Sequence, residues 1–263
     1  MQPIRGLIID LDGTVFRGDE LIEGTREAIN EALDLGLKVV FLSNRGNISR
    51  EAARSRLSEV GIDVTLAQII LSSSVAAAFL SDHYPNSQVW VLGEEGLMDE
   101  LRLASVAIAQ VPKDADWVVI SLHEKVNYED LNHAFVAVRH GARILATNAD
   151  RTFPRHDGDA IDVAGMLGAI TNSTGKHVDL VVGKPSWLMA EAAMKQLHLP
   201  PEQCLMIGDS LETDMAFGRM FGMQTMLVLT GSTNQATADS CLRKPDYIVD
   251  SLANLNQVLI RLS

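Results

Sequence analysis

Asp10 and Asp12 stand two residues apart where the apolar run Leu7-Ile8-Ile9 gives way to Gly13 and Thr14. Acids are poor strand formers, so a strand that stops in them carries them at its carboxyl end. If the extended geometry persists, alternation puts both carboxylates on one side. Such a pair can hold a cation or exchange a proton with a bound molecule. Alone, the stretch is more readily explained as a strand followed by an Asp-rich turn.

Three further apolar runs end in polar groups. Val39-Val40-Phe41-Leu42 runs into Ser43 and Asn44, Leu180-Val181-Val182 into Gly183-Lys184-Pro185, and Leu205-Met206-Ile207 into Gly208-Asp209, with Asp214 just beyond. Each has a plain explanation: a turn hydroxyl, a solvated lysine, a helix N-cap. In a parallel sheet, however, all four strand ends share one edge, and ligands bind in the crevice there. The residue types suit phosphoryl transfer, which needs positioning and neutralisation of spread negative charge. Asp10 and Asp209 at separate strand ends could hold Mg²⁺, Lys184 adds a positive charge, and Ser43 a neutral donor. One aspartate near the metal could attack phosphorus, and the other protonate the leaving oxygen and later deprotonate water.

The elements that must position these groups follow one rhythm: a short β-branched run, a polar punctuator, an amphipathic helical stretch. That pattern predicts a doubly wound, mostly parallel α/β fold of Rossmann type. Helices are expected over 24–35, about 49–60 and 72–80, then 95–103, 128–139, 160–170, 187–197 and 252–262. Strands around 89–93, 117–120 and 143–146 are enough for a second, smaller sheet. The expected organisation is a catalytic core of residues 1–80 and 180–263, with an α/β cap of residues 81–179 inserted into it.

Composition agrees with a well-packed globular chain. Of 263 residues, 47% are hydrophobic and 21% charged, which leaves ample material for two cores. A formal net charge of −12 speaks against nucleic acid as a partner, since phosphate backbones need cationic surface. Small phosphate esters stay open, because a bound cation reverses the local sign. The two cysteines, Cys204 and Cys241, are far apart and read as reduced thiols of a cytoplasmic protein. No signal-peptide pattern and no membrane-length apolar run is present.

The motifs Asp10-Leu11-Asp12-Gly13-Thr14, Ser43-Asn44, Gly183-Lys184-Pro185 and Gly208-Asp209-Ser210-Leu211-Glu212-Thr213-Asp214 resemble, in this order, the four motifs of haloacid-dehalogenase-type phosphatases. The insertion between the second and third is similar to the large C2-type α/β cap of the NagD-like branch. The resemblance implies a Mg²⁺-dependent phosphatase acting on small phosphate monoesters, sugar phosphates foremost, through an aspartyl-phosphate. It makes Asp10 the nucleophile and a metal ligand. Asp12 becomes the general acid–base, whose backbone carbonyl also ligates the metal. Asp209 is a ligand, Asp214 a ligand or an orienter of the metal shell, and Ser43, Asn44 and Lys184 the phosphate holders.

The cap should act as a lid and present groups to the leaving moiety. Its polar loop Arg151-Thr152-Phe153-Pro154-Arg155-His156-Asp157-Gly158-Asp159 is the candidate to face a sugar, against the simpler reading of an ordinary polar loop. Ser72-Ser73-Ser74 reads as a helix N-cap, and His123 as structure or surface. Two rival classes remain. A receiver-like signalling module also clusters acids, a hydroxyl and a lysine, but has no use for the long insertion. A non-catalytic sugar-phosphate sensor would bind the same ligands without turnover. A homodimer is left open, because no stretch identifies an interface.

Overall fold

The computed structural model describes residues 3–155 and 158–262. It divides into two compact units: Met1–Ser43, Arg54–Ile70 and Lys184–Ser263 form the first, Asn44–Ala53 and Leu71–Gly183 the second. The second unit takes in the expected insertion and, in addition, residues 44–53, 71–80 and 180–183, all of which the sequence pattern assigned to the core. The last of these carry the strand Leu180–Val181, which pairs with Arg143–Ala146 and not with a core strand.

In the first unit a six-stranded sheet runs in the order Tyr247–Val249, Gln224–Val228, Cys204–Gly208, Gly6–Ile9, Lys38–Ser43, Ile69–Leu71. The first strand lies in the middle. Later strands add on one side up to Ile69–Leu71 and then on the other from Cys204–Gly208, which is the doubly wound order. Gly6–Ile9 pairs in parallel with both neighbours, Ile9 standing beside Phe41 and Ile207. The carboxyl ends of three strands are thereby level, at Asp10, Leu42 and Gly208. Leu7, Ile8, Ile9, Val40, Phe41, Leu205, Met206 and Ile207 are buried, as the near-continuous apolar runs of a doubly covered parallel sheet require. The stretch after Asp12 is a small hairpin, Phe16–Arg17 against Glu20–Leu21, turning at Gly18.

In the second unit a five-stranded parallel sheet runs in the order Leu180–Val181, Arg143–Ala146, Trp117–Ile120, Gln88–Leu92, Ala107–Ile108. The helices Tyr128–Arg139 and Val163–Thr174 close its core around Val118, Ile120, Ile144, Leu167 and Ile170. The helix expected at 160–170 begins three residues later. Asp162 caps it by accepting the Val163 N–H at 2.6 Å, and Gly158–Ile161 pairs instead with Thr152–Arg155 in a hairpin. His156 and Asp157, part of the predicted sugar-facing loop, lie outside the described residues.

The Ser72–His83 helix starts at the serine run, but the three hydroxyls divide the work. Ser74 reaches back to accept the Leu71 N–H, Ser72 donates to Asn44 O, and Ser73 donates to Ile48 O. Among the described residues no helix is long and apolar enough to cross a membrane.

Candidate functional site

The level strand ends of the first unit collect four of the predicted side chains. Asp10 follows the Gly6–Ile9 strand and is locked in line by its N–H, which donates to Ile207 O at 2.9 Å. Lys184 reaches it from the third motif: Nζ donates to Asp10 Oδ1 at 2.5 Å, to Asp214 Oδ1 at 2.7 Å and to Leu42 O at 2.9 Å. All three donor protons of the ammonium are therefore engaged. The lysine side chain is 2% exposed, and those of Asp10 and Asp214 are 9% and 1% exposed. Asp214 is fixed at its other oxygen by the Ser210 N–H at 3.1 Å, and Asp209 by the Ser232 N–H.

Three acids and one base in so dry a place leave a negative surplus. Burial pushes the Asp10 carboxyl well above the usual carboxylate range, and Lys184 only partly restrains it. Asp209 is pushed up to about 6, by burial first and then by Asp214. Burial opposes the charge on Lys184, yet Asp10 and Asp214 outweigh it and hold the ammonium above its ordinary value. Oxygens of Asp10, Asp209 and Asp214 all lie within 4.8 Å of one another. Clustered buried carboxylate oxygens with a net negative balance are the donor set of a hard divalent cation, so the residues present fit such an ion.

Glycine lets the backbone close on this cluster. Gly13 has φ +84°, and a β-carbon there, or on Gly231, would run into the Asp209 carboxylate. A β-carbon on Gly208 would strike Asp214. Thr230 Oγ1 adds a tie to Gly13 O at 2.6 Å, and Arg17 Nη2 holds Thr230 O at 2.8 Å. The loop 230–232 thus supports the acids, although nothing in its sequence beyond a strand followed by Thr-Gly-Ser pointed to that task.

The remaining predicted residues are placed differently. Ser43 is buried at the end of its strand, next to the Leu42 carbonyl that receives Lys184. Asp12 lies on the turn, 36% exposed, with Oδ1 3.5 Å from Arg56 Nη1. Asn44 falls in the second unit: Nδ2 donates to Asp150 Oδ2 at 3.0 Å, while its carbonyl accepts from Ser72 and from Asn148. His123 faces Glu94 and Asp130 there, at 3.9 and 3.6 Å.

Comparison with known proteins sets this arrangement in a family. Residues 7–107 match the model of the haloacid dehalogenase-like hydrolases, and residues 181–255 match a related one. The chain is similar to the sugar-phosphatase AraL of Bacillus subtilis, 58% identical over 253 residues that cover 96% of this chain and 92% of that protein. Among solved structures it is similar to a p-nitrophenyl phosphatase from Archaeoglobus fulgidus, with a TM-score of 0.92 and 34% identity over 98% of this chain and 100% of the other. NagD from E. coli matches at a TM-score of 0.85 with 28% identity over 96% and 98%.

Proposed function

The chain belongs to the haloacid dehalogenase-like hydrolases, NagD-like branch, and is a phosphoric monoester hydrolase; from that premise we propose how its residues divide the reaction and which esters it takes. The observation that carries the reading is the buried Asp10–Lys184–Asp214 array with Asp209 beside it. Family membership and the acid cluster support a divalent cation, and oxygen-only donors favour Mg²⁺. It would be held by Asp10, Asp209 and the Asp12 carbonyl, with Asp214 a ligand or an orienter through its link to Lys184. When bound, the ion neutralises charge on the phosphoryl oxygens.

Asp10 is the nucleophile in this reading. Its carboxylate is aligned by its own backbone and held by Lys184, so attack on phosphorus needs little rearrangement. The product of that step is an aspartyl-phosphate. Lys184 and Ser43, with its neighbour Asn44, would bind the phosphoryl oxygens. Asp12, partly exposed on the turn, would give its proton to the leaving oxygen and take one back from the water that cleaves the intermediate.

The substrates are small phosphate monoesters, sugar phosphates foremost. The 58% identity to a sugar-phosphatase supports this choice. Residues 81–179 are assigned as the cap that selects the leaving group, and the free thiols Cys204 and Cys241 suit the cytoplasm. Turnover of a panel of sugar phosphates, nucleotides and aryl phosphates at fixed Mg²⁺ tests the proposal. Sugar phosphates should give the highest kcat/KM among natural esters; a preference for nucleotides would reject the substrate class while leaving the chemistry intact.

A further inference from the structure

The Arg50–Glu59 helix lies outside all four motifs, yet one of its side chains reaches the proposed acid–base. Arg56 Nη1 stands 3.5 Å from Asp12 Oδ1. Its guanidinium carbon lies 3.8 Å above the centre of the Phe16 ring, and Nη2 donates to Gly18 O. A single guanidinium therefore joins the Asp12 carboxylate, the first strand of the hairpin and the hairpin's turn. The same segment is knotted internally: Gly13 N–H donates to Phe16 O at 2.7 Å, Phe16 N–H donates to Leu11 O at 2.9 Å, and Asp12 bridges to Phe16. Whatever fixes Phe16 and Gly18 thus also fixes the backbone that carries Asp12.

Stability does not account for the Arg56–Asp12 pair. The Arg56 and Asp12 side chains are 21% and 36% exposed, and ion pairs as wet as this one add little to folding. What the geometry does supply is orientation. A guanidinium is planar and permanently charged, and it can stack on a ring while its edge donates to two acceptors. A lysine could not do all three at once.

We propose that Arg56 is a positioning residue for Asp12, holding the acid–base carboxylate where it meets the leaving oxygen. The inference rests on the reading of Asp12 as the general acid–base. In the first half-reaction an Asp10 oxygen bonds to phosphorus, the bond from phosphorus to the leaving oxygen breaks, and the Asp12 proton passes to that oxygen. In the second a water oxygen bonds to phosphorus, the Asp10–phosphorus bond breaks, and the water proton passes to Asp12. A misplaced Asp12 should therefore harm the first half-reaction only when the leaving group needs a proton.

Phenyl phosphate and p-nitrophenyl phosphate separate the cases, because they share the same aryl phosphate frame while nitrophenolate departs without protonation. The test is single-turnover release of the phenol by Mg²⁺-loaded enzyme in excess, for the parent, Arg56→Met and Asp12→Asn. Arg56→Gln, which keeps a donor toward Gly18 O, stands in if the methionine variant does not fold. Displacement of a catalytic group costs rate steeply, so the Arg56 variants should release phenol about 10-fold or more slowly and nitrophenol within about 2-fold of the parent rate. Equal losses on both esters, or no loss on either, would overturn the proposal. Asp12→Asn should show the same selectivity more strongly. If it is unselective, the reading of Asp12 fails and the role of Arg56 falls with it; if it is selective while the Arg56 variants are not, only the Arg56 inference fails.

Discussion

Replacing Lys184 by methionine removes a cation that the structure places between two buried carboxylates. Nζ lies 2.5 Å from Asp10 and 2.7 Å from Asp214, so each contact represents about 6 kcal/mol of gross attraction at an effective dielectric of ~20. Desolvation of the three ions offsets most of that gain, and the net loss on removing one partner of a buried array is about 3–5 kcal/mol. Methionine matches the lysine stem closely, so little of the loss comes from packing. The variant should remain folded, since a domain has roughly 5–15 kcal/mol in hand, but its urea midpoint in EDTA should fall markedly. The cost depends on pH with a definite sign. Without the ammonium, the folded-state carboxyls of Asp10 and Asp209, already raised by burial and restrained by Lys184, rise further above their unfolded values, so the variant regains stability as pH falls and loses it as pH rises. Divalent cation should stabilise the variant more than the parent, because a positive neighbour no longer opposes the ion. The assay is urea unfolding in EDTA and in Mg²⁺ at pH 5 and pH 8. A midpoint unchanged within error at pH 8 in EDTA would refute the account of the array.

Gly231→Ala places a methyl group against the Asp209 carboxylate and should weaken Mg²⁺ binding about 10-fold or more, read by calorimetric titration of the folded protein. Asp162 is pushed up to about 6, chiefly by burial. A carboxyl raised in the folded state favours folding at low pH, and that advantage is lost as pH rises through about 6. Asp162→Asn keeps the cap and removes the ionisation, so it should stabilise the protein by about 1–2 kcal/mol at pH 8 and by nothing at pH 4, measured by chemical denaturation at the two pH values. Glu100 is buried and accepts from Arg50 N–H at 2.7 Å and from Arg50 Nε at 2.9 Å; Glu100→Ala should cost about 2 kcal/mol and speed hydrogen exchange at the start of the Arg50–Glu59 helix.

The strand ends were the legible part of the molecule. An apolar run broken by Asp10, by Ser43 or by Asp209 signals both the strand and the edge where the polar group emerges, and parallel pairing then makes distant ends neighbours. Lys184 was picked out by the same pattern, but its premise fails: Leu180–Val181 pairs with Arg143–Ala146 in the second unit's sheet and is no strand of the core. The lysine joins the acids from the segment that opens at residue 184 and not from a shared sheet edge, and that its ammonium splits between Asp10 and Asp214 depends on side-chain reach that spacing does not encode. Supporting contacts made across the chain were not legible. Ser232, Thr230 and Arg17 come to the site through packing, and Arg56 through one face of a helix whose sequence reads as ordinary surface. Local pattern also misjudged residues 160 and 161, expected to open a helix. Their periodicity continues into the following helix, but Asp162 supplies the cap that starts that helix and leaves the preceding residues to pair as a strand.

The claim on which the mechanism turns is that Asp10 takes the phosphoryl group. Acid quench during turnover of p-nitrophenyl phosphate, followed by borohydride reduction and peptide mass spectrometry, reads it directly, because reduction of an aspartyl-phosphate leaves homoserine. The account predicts homoserine at position 10, and none in Asp10→Asn treated in parallel. Homoserine at position 12, 209 or 214 instead, or turnover with no acyl-phosphate at any position, would contradict it.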